Sequence, residues 1–205
     1  MMHVRFSLVA ADPPVLAGCI GYLKDAARPV LESQHGSLGL SLLEEPDVMI
    51  FESFWATHEA LWLSEETEAV FRDELARRVG RPVRAEDYQV AVFEREGPPG
   101  EAVRLTRIKV KPAGVADVVD VYGDTAVPWL ADTPGFCETL LFADPADGQL
   151  VSQTVWRDPA ARAAGPSVGE MIRGEVLDDE DCEIRAVEDY RQVFDSARKP
   201  GPAWW

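Results

Sequence analysis

The sequence predicts an α+β fold made of two tandem copies of one β-α-β-β-α-β unit, the ferredoxin-like arrangement. Three observations predict it: an internal repeat, a Pro/Gly-rich break between the copies, and the same order of hydrophobic periods in each half. Sliding the chain by 99 positions superimposes Val4-Arg5 on Val103-Arg104, Pro13 on Pro112, Ala17 on Ala116, Asp25 on Asp124 and Ala27 on Ala126. The same shift brings Pro29 onto Pro128, Leu31 onto Leu130, Gly36 onto Gly135, Leu42 onto Leu141 and Pro46 onto Pro145, with no gap. Two extra residues in the turn Asp144-Pro145-Ala146-Asp147-Gly148 move the offset to 101, which aligns Trp55 with Trp156 and Ala60 with Ala161. One further shift aligns Glu86-Asp87-Tyr88 with Glu188-Asp189-Tyr190. Length changes confined to turns are what a duplication leaves behind. A period near 100 residues marks a duplicated domain rather than a solenoid.

The break is Arg95-Glu96-Gly97-Pro98-Pro99-Gly100-Glu101, where Pro and Gly oppose both helix and strand. The expected division is therefore 1–95 for the first repeat, 96–101 for the linker, 102–195 for the second repeat and 196–205 for a tail.

The first repeat opens with Val4 to Leu8, an alternating half-buried strand. Pro13-Pro14 sits just ahead of a helix, where proline is tolerated. Leu16, Ile20, Leu23, Ala27 and Leu31 form its core-facing stripe, and Pro29 is expected to kink or end it. Gly36 turns the chain into a strand from Ser37 to Leu43. Glu44-Glu45-Pro46-Asp47 is a hairpin turn, and Val48 to Trp55 the next strand. Thr57 is the expected N-cap of a second helix, with Glu59 in its first turn. Phe71, Leu75 and Val79 mark that helix's apolar face, and Gly80 fits its C-terminus. Tyr88 to Phe93 closes the unit. The second repeat keeps this order, but Gly165, Pro166, Gly169 and Gly174 fall within its second helix. With Gly costing about 1 kcal/mol and Pro about 3 kcal/mol inside a helix, that helix is expected to be short or broken.

Composition bounds the partners. The chain has 205 residues with a net charge of −16, from 20 Lys and Arg against 36 Asp and Glu. Nucleic acid is excluded as a natural partner, because affinity there rests on cations neutralising phosphates, and an anionic membrane surface is unattractive for the same reason. No signal peptide or membrane-length apolar run is evident. Cys19, Cys137 and Cys182 are far apart and odd in number, and with three His they offer no metal-ligand spacing. They read as buried, reduced thiols of a cytoplasmic protein. The run Asp178-Asp179-Glu180-Asp181 reads as a solvated loop, and the terminal Trp204-Trp205 either docks on the body or on a second chain, or is unordered.

Three passages carry a resemblance: Pro29-Val30-Leu31 to Gly36; Glu52-Ser53-Phe54-Trp55-Ala56-Thr57-His58-Glu59-Ala60-Leu61; and Glu86-Asp87-Tyr88-Gln89-Val90. The second repeat echoes them with Pro128 to Gly135, Trp156 to Ala161 and Glu188 to Val193. Over residues 3 to 195 the chain resembles the antibiotic-biosynthesis-monooxygenase-like family of dimeric α/β-barrels. The resemblance implies that the two repeats form a single-chain dimeric α/β-barrel with a ligand cavity. The protein is then a monomeric pseudo-dimer, or a homodimer if two chains exchange halves. Members of that family oxidise polyketide quinones without metal or flavin, degrade haem or isomerise small lactones. The haem-degrading pattern of Asn, Trp and a His ten residues on is met only by Trp62, since Arg72 stands at the His position and the first strand offers Ser7.

The resemblance therefore implies a cofactor-independent, metal-free monooxygenase-like protein acting on an aromatic or polyketide-like small molecule. The other reading is a non-catalytic small-molecule-binding or assembly module. For catalysis the candidates are His58 as base and Arg72 or Arg107 as the cation that holds substrate charge. For substrate binding they are Trp62, Trp55 and Tyr88. All but Arg72 have a plain structural alternative. Trp55 and Tyr88 recur in both repeats, as a scaffold residue would. His58 fits a solvated first turn, Trp62 a packed helix face and Arg107 a solvated strand position.

Overall fold

The computed structural model describes residues 1–175 and 182–199; the acidic run 178–181 and Trp204-Trp205 lie outside the described residues. The elements in chain order are β1 (His3–Ala10), α1 (Pro13–Tyr22), a π-helical turn (Leu23–Ala27), α2 (Arg28–Glu32), β2 (Ser37–Glu44), β3 (Val48–Trp55), α3 (His58–Val79) and β4 (Arg84–Arg95). The second repeat follows as β5 (Ala102–Val110), a short 3₁₀ turn (Pro112–Gly114), α4 (Val115–Val121), a π-helical turn (Tyr122–Ala126), α5 (Val127–Ala131), β6 (Phe136–Asp144), β7 (Gln149–Trp156), α6 (Pro159–Ala164), α7 (Val168–Glu175) and β8 (Cys182–Asp195). This is the α+β class and the βαββαβ order expected of each repeat, with eight strands and antiparallel pairing. By contact the chain divides into residues 1–88 with 192–205, and residues 89–191. The division in space thus falls inside β4 and β8, while the repeats in sequence meet at the linker.

In the first unit β3 lies between β1 and β2, in register from His3↔Trp55 to Ala10↔Val48 on one side. Past β8, the Ser196 and Arg198 N–H groups donate to Leu40 O (2.8 Å) and Leu38 O (2.9 Å). Period two sends Met49, Phe51 and Trp55 toward the helices. There they pack with Leu40, Leu42, Leu16, Cys19, Leu23, Ala27, Leu31, Leu61 and Leu75. Each such Leu contributes roughly 2 kcal/mol of apolar burial. The alternate residues Phe6, Leu43, Ile50, Glu52 and Phe54 are buried as well, so both faces of this sheet are dry.

Of the kink or end expected at Pro29, the helix shows no end. The helix runs on to Glu32 because a π-turn precedes the proline, with Arg28 N–H bonding Leu23 O five residues back. The widened turn accommodates the ring and the missing N–H. It also keeps Leu23, Ala27 and Leu31, spaced by four, on one face, where an ideal α-helix would drift by about 40° per step. The second repeat repeats the device, with Val127 N–H bonding Tyr122 O ahead of Pro128.

α3 begins at its expected cap: Thr57 is extended and its hydroxyl accepts from Ala60 N–H at 3.1 Å. It ends at Gly80, whose φ of +72° closes the last turn. Thr57→Ala removes the acceptor and should lower stability by about 1 kcal/mol in urea unfolding.

In the second unit β5 lies between β7 and β8, and β6 lies between β7 and residues 89–95 of β4. Its core gathers Val118, Tyr122, Leu130, Leu141, Leu150, Trp156 and Ile172. The break expected in its second helix is present between Ala164 and Val168. A Cβ at Gly165 would meet the Trp156 ring at 2.5–3.0 Å, so glycine is what lets the chain cross that indole. The three cysteines are buried, and none is in a disulfide among the described residues. Among the described residues no helix is long and apolar enough to cross a membrane.

Candidate active site

α3 buries an apolar stripe through Leu61 and Leu75, and polar residues interrupt it. Ser64, Glu68 and Arg72 are spaced by four, so they share the face turned to the sheet. Glu68 is 3 % exposed. Its Oε1 accepts from Ser53 Oγ (2.7 Å), Trp55 Nε1 (3.2 Å) and Ser64 Oγ (3.2 Å). Its Oε2 lies 3.5 Å from both Arg5 Nη1 and Arg72 Nη1. Burial pushes this carboxyl above its ordinary range, and the bonds from Ser53, the two arginines and Ser64 only partly offset that.

Arg5, on β1, is fixed by a two-pronged pair with Asp87 of β4, at 2.6 Å (Nε) and 2.7 Å (Nη2). Glu65 bridges the guanidiniums, accepting from Arg5 Nη1 and Arg72 Nη2 on its two oxygens. With Glu68 ionised the five groups sum to −1; with Glu68 protonated they sum to zero. A small cavity of about 10 Å³ between Ser7, Phe51, Glu68 and Arg72 adjoins the cluster.

Some of these contacts are shared by the two halves, and others belong to the first half alone. The second repeat keeps the Arg5–Asp87 pair as Arg104–Asp189 (2.9 Å) and the Trp55–Ser53 bond as Trp156 Nε1 to Thr154 Oγ1 (3.0 Å). It does not keep Glu68: at the offset that aligns the tryptophans, Gly169 stands there, with Thr106 and Ile184 so near that a Cβ would crowd them. In place of the ionic cluster the second unit has the Tyr122 hydroxyl bonded to Thr139 Oγ1 (2.5 Å) and Ser152 Oγ (2.8 Å), and burial holds that phenol at about 12.

The groove that reaches this cluster lies on one flank of α3. It has a volume of about 430 Å³ and is lined by Gln34, His35, Gly36, Thr57, Leu63 and Ser64, among others. Ser64 is both a wall of the groove and a neighbour of Glu68, its single hydroxyl proton shared between Leu61 O (2.7 Å) and Glu68 Oε1 (3.2 Å). Gly36, with φ of +81°, makes the close contact with Ala60 that shapes this end.

Of the residues singled out from sequence, Arg72 and Trp55 meet at Glu68. The others stand apart. His58 is exposed at the start of α3, its ring edge-on to His3 at 5.3 Å, and burial followed by His58 holds His3 below its ordinary value. Trp62 is 68 % exposed on α3. Tyr88 is buried edge-on to Phe6, its hydroxyl donating to Glu86 at 2.9 Å. Arg107 is in the second unit, paired with Glu188 at 2.9 Å. Glu68, Glu65, Ser64 and Arg5 were not singled out. The available signal was a serine and a glutamate on the core-facing line of a helix.

No family model matches the chain. An uncharacterized protein of Mycobacterium tuberculosis strain H37Rv is 27 % identical over 205 residues, 98 % of this chain and 87 % of its own. An anthrone oxidase-like protein superposes with a TM-score of 0.64 at 15 % identity, covering 95 % of this chain and 92 % of its own. The fold is that of ferredoxin-fold proteins related to antibiotic biosynthesis monooxygenases. One so described, from Listeria monocytogenes, matches with a TM-score of 0.57 at 10 % identity over 93 % of this chain and 95 % of its own.

Proposed function

We propose that the first repeat is the catalytic half of a cofactor-independent monooxygenase-like protein that oxidises an aromatic, polyketide-like small molecule. The observation that carries this is Glu68, a buried carboxyl whose place at the tryptophan offset is Gly169 in the second repeat, linked to an open groove through Ser64. A carboxyl pushed up by burial is a stronger base once ionised and sits nearer the working pH of proton transfer. The anthrone oxidase-like structure supports an enolisable substrate of that kind. A groove of about 430 Å³ falls in the range that holds such a molecule.

In the reaction Glu68, whose ionised form Arg5 and Arg72 favour, takes a proton through Ser64 from an activated methylene of a substrate in the groove. The carbanion adds molecular oxygen, and the hydroperoxide loses water to leave a carbonyl. One oxygen atom enters the product, the other leaves as water, and the methylene's two C–H bonds supply all four electrons and both hydrogens. Purified protein given anthrone should consume oxygen and form the quinone well above the buffer rate. Neither binding nor turnover of any anthrone or quinol by folded protein would end this reading.

The second reading, a non-catalytic binding or assembly module, draws on Trp62, Leu63 and Val70, which are 68, 62 and 63 % exposed on α3. It predicts that the same assay shows no oxygen consumption.

A further inference from the structure

A buried cation and a partly buried one meet on one half-exposed anion at the flank of α3 facing β1 and β4. Arg5 and Arg72 have side chains only 7 and 14 % exposed, whereas Glu65, which bridges them, is 47 % exposed. The arginines are held without Glu65: Arg5 by its two bonds to Asp87, Arg72 by its pairing with Glu68 one turn away. Glu65 is held by the arginines and can swing into solvent at little cost in desolvation. Its departure would leave Arg5 Nη1 and Arg72 Nη2, the two groups it bonds, converging on one carboxylate position. Trp62 stands three residues before Glu65, hence beside it on the helix surface, and exposes its indole.

We propose that Arg5 and Arg72 form a binding site for an aromatic carboxylate, which Glu65 fills in the free protein. The ligand's carboxylate replaces that of Glu65 between the two guanidiniums, and its ring lies on Trp62. The site is on the opposite flank of α3 from the groove and does not depend on the oxidation proposed above. In the second repeat Pro166 stands at the offset position of Glu65, so this site belongs to the first repeat alone.

The test is calorimetric titration of the full chain with 2-naphthoate, which carries no oxidisable methylene, and with the neutral 2-naphthalenemethanol. Wild type should bind naphthoate weakly, and Glu65→Gln, which removes the internal competitor, should bind it at least tenfold more tightly. Arg72→Met should lose that binding and Trp62→Ala weaken it several-fold, while the alcohol binds to none. Arg72→Lys, which keeps the charge but not the fork, should also bind weakly, and it stands in if Arg72→Met does not fold. Equal affinity of Glu65→Gln and wild type, or equal binding of the alcohol, would overturn the proposal.

Discussion

Glu68→Gln should cut the oxidation rate at least a hundredfold while leaving the fold as stable or more so at neutral pH. The rate falls because general-base catalysis by a placed side chain is typically worth 10² to 10⁴, and an amide takes no proton. Stability does not fall because Gln keeps an oxygen for Ser53 and Trp55 and removes an ionisable group from a dry site. The pH dependence has a definite sign. Burial raises the folded-state pKa of Glu68 above its ordinary value of 4.5, so the folded protein binds its proton more tightly than the unfolded chain does. The stabilisation is complete below the ordinary value and is lost as pH rises through the raised one. Thermal melts should therefore show wild type losing ground to Glu68→Gln as pH increases across that interval. Parallel curves would mean that Glu68 ionises in the fold as it does in the unfolded chain.

Gly39→Ala should be among the most destabilising single changes in the first unit, by about 3 kcal/mol or more. Gly39 sits at the bulge in β2 with φ of +107°, a conformation that an L-residue adopts only with strain. A Cβ there would also run into backbone, with the Ser196 carbonyl carbon at 2.5 Å and the Ala197 nitrogen at 2.9 Å. Relief requires breaking the Ser196 and Arg198 bonds to β2. Denaturant unfolding would show the loss; a change under 1 kcal/mol would mean that the segment after β8 contributes little.

Much of the fold was legible because it was written twice. The repeat placed Trp55 opposite Trp156 and Thr57 ahead of a helix, and the structure puts both tryptophans in the core and Thr57 at the cap. The π-turn was harder, since a proline inside a helical stripe ordinarily signals an end. Its only trace is the four-residue spacing of Leu23, Ala27 and Leu31. The site was less legible for a related reason. Of the sequence candidates, His58 and Trp62 are exposed on α3 and Tyr88 is buried against Phe6, while Glu68 is marked by the glycine at its offset position in the second repeat. Burial decides its chemistry, and burial of one glutamate among many follows from where α3 meets β1 and β3, which one-dimensional patterning does not specify.

Oxidation of anthrone by wild type and Glu68→Gln side by side, under isotopically heavy molecular oxygen and without added metal or cofactor, tests the first-repeat site most directly. One heavy oxygen in the carbonyl formed by wild type, with product at the buffer rate for Glu68→Gln, is the expected result. Equal rates for the two proteins, or unlabelled product, would contradict it.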